Sequence, residues 1–179
     1  MFDLPLHPVV VYFPIVLGTL LPVLAFILWA TIKKGYLQQR VWVLVAIMAL
    51  AYGATSLIAL ELGEKDEDKV EEIVSERVIE EHEEAAEMIP WVAGTLFLVS
   101  FAGLIKKNSH SLRLGLAALS LVALIPLVDA GHTGGELVYQ YGAATAHMPA
   151  DQQARVYSSG KLPIKQNDSD KDSDIDHDD

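Results

Sequence analysis

The chain has 179 residues, of which 51% are apolar, and a formal net charge of −11, and this length allows a single domain. The absence of cysteine excludes disulfides, iron–sulfur clusters, thiolate metal sites and covalently attached c-type haem. The acidic balance disfavours nucleic-acid binding, and no sequence motif of a serine hydrolase, zinc protease or phosphate-binding loop is present.

Four long apolar stretches follow one another along the chain. Residues 5–32, 41–60 and 88–105 contain no Asp, Glu, Lys or Arg, and a shorter charge-free stretch covers 114–128. A helix needs about 20 residues to cross a hydrocarbon layer of about 30 Å. The runs are continuous and do not alternate, which argues against a barrel. We therefore predict an all-α integral membrane four-helix bundle over residues 1–145, in contact with the lipid bilayer, with helices at about 8–32, 41–60, 85–105 and 112–130.

The connecting segments carry opposite charges. The short loops 33–40 and 106–113 each hold three basic residues and no acidic one, whereas residues 61–87 hold 13 acidic and three basic residues. Basic loops belong on the cytoplasmic side, so we expect an N-out/C-out orientation. Residues 61–84 form an acidic outer segment with an amphipathic helix. Residues 146–179 form a polar, largely disordered tail, whose Asp-rich end leaves cation binding open.

Side chains able to bind a metal gather toward the outer end. His7, Glu61, His82 and His132 each lie 19–25 residues from the edge of a basic loop, counted to Ile32, Arg40, Lys106 and Arg113, which is about 28–37 Å along a helix. Every helix thus brings one such residue near a common plane. More carboxylates lie within a turn or two, and Asp129 is expected to face the bundle interior. The candidate metal ligands are His7, His82, His132, Glu61, Glu64, Glu83, Glu87, Asp129 and Glu136.

Three glycines surround the last of these histidines. Gly131, Gly134 and Gly135 flank His132, and glycine permits positive φ and close backbone approach. The segment is interpreted either as a helix cap followed by an interfacial turn, or as a turn that packs against a flat cofactor and aims His132 at its metal. Spacing alone leaves both interpretations open.

Two sequence motifs flank the four predicted helices, one at the start of the first helix and one after the last. Leu6-His7-Pro8 with Phe13-Pro14-Ile15, and the segment from Gly131 to Tyr139, together resemble the bacterial family called domain of unknown function 2231. The resemblance covers roughly residues 4–145 and includes the placement of His82 in an acidic stretch. The family motif commonly has a second histidine where this chain has Tyr12, so helix one supplies only His7 of that motif's two histidines.

The resemblance implies a multi-pass protein of the bacterial inner membrane. Some relatives are joined to Rieske or cytochrome-type modules, which implies redox work with b-type haem. His7, His82 and His132 are the matching histidines. Two of them would be axial ligands, with His132 preferred, and Gly131, Gly134 and Gly135 would line the cofactor.

Three functions remain open at this stage. The first is electron transfer by non-covalent haem b near the outer face, with a quinone or a periplasmic redox protein as partner. This describes an electron-transfer component rather than a stand-alone enzyme, and the chain could also form a homodimer. The second is a metal-binding or sensing protein with Fe, Mn or Zn at a His/carboxylate site. The third is a cofactor-free structural or assembly subunit.

Overall fold

The structure is a computed structural model that describes residues 5–106 and 109–159. It contains seven α-helices: α1 (His7–Val10), α2 (Tyr12–Lys33), α3 (Val43–Val70), α4 (Glu76–Ile105), α5 (His110–Val122), α6 (Leu124–Tyr139) and α7 (Ala150–Ser158). Short 3₁₀ helices cover Gln39–Trp42 and Ala143–His147. No strand occurs in the described ranges, so the all-α prediction is confirmed.

The helices combine into four antiparallel spans, each long and apolar enough to cross a membrane. The spans are His7–Lys33, Gln39–Val70, Glu76–Ile105 and His110–Tyr139. Each packs on its neighbour in sequence, and α5 of the fourth span closes the ring against α2. This is the up-down-up-down arrangement of a four-helix bundle. We call the end that carries His7 and His82 the outer end, and the end with the two basic loops the inner end.

Two spans are interrupted, and proline explains both interruptions. Proline has no backbone N–H, so the carbonyl four residues earlier loses its helical donor. For Pro14 that carbonyl belongs to Val10, where α1 ends, and for Pro126 it belongs to Val122, where α5 ends. Pro22 lies inside α2, which continues past it.

The helices extend further toward the outer end than predicted. The second helix, predicted to end near residue 60, continues to Val70. α4 begins at Glu76, inside the outer segment for which an amphipathic helix is predicted, and runs without a break into the third span. α6 continues to Tyr139, so the turn predicted after residue 130 is not formed. The start of the predicted tail contains α7, while the Asp-rich end at 160–179 lies outside the described residues.

Two apolar clusters hold the fold together. The larger one fills the bundle with residues from all four spans, among them Leu21, Trp42, Tyr52 and Leu116, each at most 1% exposed. The smaller one, here called the outer cluster, consists of Ile73, Val74, Val78, Ile79, Leu137 and Ala143. It joins the α3–α4 connection to the end of α6, above the apolar parts of the spans, and Tyr157 of α7 packs against it.

Candidate functional site

His7 stands at the first position of α1 and reaches across to α3. Its Nδ1 donates a hydrogen bond to the carbonyl oxygen of Ala59, at 2.8 Å. A carbonyl only accepts, so the proton sits on Nδ1, and in the neutral ring Nε2 keeps its lone pair. α3 leaves space for the ring because residue 63 is glycine, where a Cβ would lie 3.2 Å from Nδ1 of His7.

His82 lies in the acidic half of α4 and rests on α6. Its Nδ1 forms a hydrogen bond with Oγ1 of Thr133, at 3.0 Å. The next residue on α6 is Gly134, where a Cβ would lie only 3.0 Å from Cε1 of His82, tighter than nine in ten real Cβ contacts. A threonine and a glycine side by side therefore form the seat of the imidazole.

The two half-buried histidines meet between three helices. Their ring centres are 6.3 Å apart and the ring planes are nearly perpendicular, at 85°. Each ring uses Nδ1 for a hydrogen bond to a different helix. We call these two residues the histidine pair. Ligating histidines commonly use their second nitrogen to bond a backbone or side-chain acceptor, and both members of the pair do so.

His132 does not join the pair. Its side chain is 71% exposed, and Nε2 lies 3.4 Å from a carboxylate oxygen of Glu136, one turn along the same helix. Gly131 and Gly135 also lie away from the histidine pair, with no heavy atom within 4 Å of where a Cβ would be. Of the three glycines predicted to line a cofactor, the structure brings Gly134 alone to the pair.

The carboxylates predicted as ligands are dispersed. Glu61 is exposed and pairs with Lys65 at 2.7 Å. Asp129 is exposed, so the prediction that it faces the bundle interior is wrong. Glu64 and Glu87 are exposed, whereas Glu83 is half-buried and faces Glu64, Glu67 and Glu87 rather than the imidazoles. Within 5–106 and 109–159, no three His, Asp or Glu side chains are arranged to hold a metal ion.

Sequence reasoning missed Thr133, although a signal for it was present. Leu127, Ala130, Thr133 and Leu137 are the buried residues of α6 and recur at helical spacing. Had this periodicity been continued through the glycines, Thr133 would have been placed inward and His132 outward. Ala59 carries no side-chain signal, because it contributes a backbone carbonyl.

DUF2231, described as a predicted membrane protein, matches residues 3–147. The chain belongs to the DUF2231 family of predicted membrane proteins. This match includes both members of the histidine pair and all four spans. Neither a curated protein nor a solved structure matches the chain.

Proposed function

We propose that this DUF2231 protein is a membrane electron-transfer component that binds haem b through His7 and His82 at the outer end. The observation that supports this proposal is the histidine pair, two imidazoles from different spans with ring centres 6.3 Å apart. Imidazole is a common protein ligand of haem iron, and two imidazoles that different spans bring this close together could hold one such group between them.

The number of ligands favours haem over a bare metal ion. The porphyrin supplies four ligands to its iron, so one or two protein ligands complete the site. A protein-bound Fe, Mn or Zn ion generally needs three or more protein side chains. Glu83 faces the other carboxylates and Asp129 is exposed, which leaves the pair with two imidazoles. Two histidines meet the requirement of haem and fall short of that of an ion.

The protein's own residues would bind and orient this group. His7 and His82 would be the axial ligands, and their Nδ1 partners on α3 and α6 would fix the ring directions. The outer cluster packs the α3–α4 connection against the end of α6 and so holds together two helices that seat the ligands. Haem, when bound, supplies one-electron transfer, and a quinone or a soluble redox protein would be the exchange partner.

The proposal is tested by spectroscopy of the full-length protein expressed with added haem precursor. The reduced-minus-oxidised spectrum of the detergent-solubilised protein should show Soret and α bands. His7→Ala and His82→Ala should each lose or strongly alter these bands. His132→Ala is the matched control and should keep them, because His132 is exposed and lies outside the pair. A wild-type protein without bands, or bands lost in His132→Ala alone, would overturn the proposal.

A further inference from the structure

The hydroxyl of Thr133 donates its hydrogen to its own helix, so its oxygen can act toward other groups only as a hydrogen-bond acceptor. Its hydroxyl donates to carbonyl oxygens of its own helix, those of Asp129 at 3.1 Å and Ala130 at 3.3 Å. Threonine often makes this back-bond inside helices. A hydroxyl has a single hydrogen, so once that hydrogen is shared between these carbonyls the oxygen can offer lone pairs alone.

This arrangement determines which nitrogen of His82 carries the proton. Nδ1 of His82 lies 3.0 Å from Oγ1 of Thr133. With the hydroxyl hydrogen directed at the carbonyls of its own helix, Nδ1 is the donor of this hydrogen bond. In the neutral ring, Nε2 then keeps its lone pair. His7 reaches the same state by donating to Ala59, so Nε2 is the unprotonated nitrogen in both members of the pair.

Burial makes this arrangement hard to replace. Thr133 is 8% exposed, and a buried imidazole N–H without an acceptor costs about as much as a lost hydrogen bond. Gly134 lets the ring approach α6 closely enough for the bond to form, because a side chain there would meet Cε1 of His82 at 3.0 Å. The ring therefore has one favourable position on α6, which brings Nδ1 to the hydroxyl.

We infer that Thr133 is the positioning residue of the histidine pair, which sets the Nδ1–H tautomer and the direction of His82. The use of this tautomer in haem ligation rests on the proposed function, whereas the tautomer itself is a property of the chain without cofactor. Thr133 acts through His82 and makes no contact of its own with a metal in this scheme. Residues that orient ligating histidines in this way typically change metal affinity by about 10- to 100-fold when removed.

The first test measures the tautomer in the full-length protein without haem. Nitrogen NMR of ¹⁵N-histidine-labelled protein distinguishes protonated from bare ring nitrogens, and the His82 signals are identified by their loss in His82→Ala. The wild type should carry the proton on Nδ1. Thr133→Val, which keeps the shape and loses the hydroxyl, should shift the tautomer ratio toward Nε2–H by about fivefold, the equivalent of one net hydrogen bond.

Two further variants separate positioning from packing. Thr133→Ser keeps the hydroxyl and should restore the wild-type ratio. Thr145→Val removes a similarly buried hydroxyl that donates to Gly142, away from the pair, and should leave His82 unchanged. A wild-type His82 protonated on Nε2 would overturn the inference without any variant. So would an unchanged ratio in Thr133→Val or a failure of Thr133→Ser to restore it.

The second test is a haem titration of the same proteins. Thr133→Val should bind haem about 10- to 100-fold more weakly than the wild type, and Thr133→Ser should remain close to the wild type. If the wild type binds no haem while the tautomer responds as expected, the proposed function fails and the role of Thr133 stands. If the wild type binds haem but the His82 tautomer ratio does not change in Thr133→Val, the inference about Thr133 fails and the proposed function stands.

Discussion

At the scale of single residues, Arg113 shows how the inner end is closed. This residue is 1% exposed, and its Nε and Nη2 donate to the carbonyl oxygen of Gly103 at 3.2 and 2.9 Å. Gly103 lies in the last turn of α4, where carbonyls lack helical donors and a cation is favoured by the helix dipole. The guanidinium also lies over the ring of Trp42, at 5.5 Å. One side chain thus caps α4 and covers a buried aromatic.

Arg113→Lys should destabilise the protein even though it keeps the charge. Lysine cannot form the planar fork on Gly103 or stack on Trp42 in the same way, so we expect a loss of about 1–3 kcal/mol. That corresponds to a fall in Tm of roughly 3–10 °C. Tm is measured in detergent from the loss of the helical circular dichroism signal on heating. Arg40→Lys, an exposed change at the same end, is the control and should leave Tm unchanged. Equal Tm values for the two variants would contradict the role assigned to Arg113.

At the scale of helices, hydropathy identified the four spans but not their outer ends. Charge-free stretches mark the part of a helix that lies in lipid, and the four stretches in this sequence correctly predict the four spans. Where a helix continues beyond the lipid into an acidic or glycine-rich sequence, hydropathy does not show where the helix ends. α3 nevertheless continues through ten such residues to Val70, and α6 through the glycines to Tyr139, because the outer cluster packs against both ends. Tertiary contacts outside the membrane thus support both helices beyond their apolar parts.

The sequence predicts the candidate site only in part, because it gives the height of a residue along a span more reliably than the direction of its side chain. Estimates of helix rise placed the histidines at a common height, and the structure brings His7 and His82 together. Height says nothing of which way a side chain points around its helix. Since residues 131–135 were read as a turn, the helical phase that turns Thr133 inward and His132 outward was lost. The backbone acceptor at Ala59 needs the three-dimensional packing of α1 on α3.

Close packing between helices gives a second stability prediction, at Gly18 of α2. A Cβ there would lie 3.0 Å from ring atoms of Tyr52 on α3 and from Cδ2 of Leu127 on α6. Tyr52 is 0% exposed, so its ring has no free space to move into. Overpacking of this kind costs about 1–3 kcal/mol, and the helix propensity of alanine returns about 1 kcal/mol of this. We therefore expect Gly18→Ala to lower Tm, by less than the overpacking cost alone would give.

The control for this change is Gly115 of α5. Nothing lies within 4 Å of where its Cβ would be. Alanine is favoured over glycine inside a helix by about 1 kcal/mol, so Gly115→Ala should be neutral or slightly stabilising. The same thermal unfolding measurement compares the two variants. A Gly18→Ala protein as stable as Gly115→Ala would show that α2 can shift away from α3.

At the scale of the whole molecule, the two ends of the bundle differ in charge and in architecture. The inner end has short basic loops and is closed by buried side chains of Trp42 and Arg113. The outer end has long acidic helical extensions, the outer cluster and the histidine pair. Loops rich in Lys and Arg stay on the cytoplasmic side of a membrane, so the basic loops would orient the inner end toward the cytoplasm. The proposed cofactor would then exchange electrons on the opposite side of the membrane.

The orientation can be tested directly because the chain contains no cysteine. Single cysteines at Glu84 and Gln152, both exposed at the outer end, should react with a membrane-impermeant maleimide in right-side-out vesicles. Cysteines at Gln38 and Ser111, exposed at the inner end, should react only after the vesicles are permeabilised. None of the four changes removes a basic residue, so the charge asymmetry that sets the orientation is preserved. Labelling of Gln38→Cys and Ser111→Cys in sealed vesicles would reverse the predicted orientation and place the histidine pair on the cytoplasmic side.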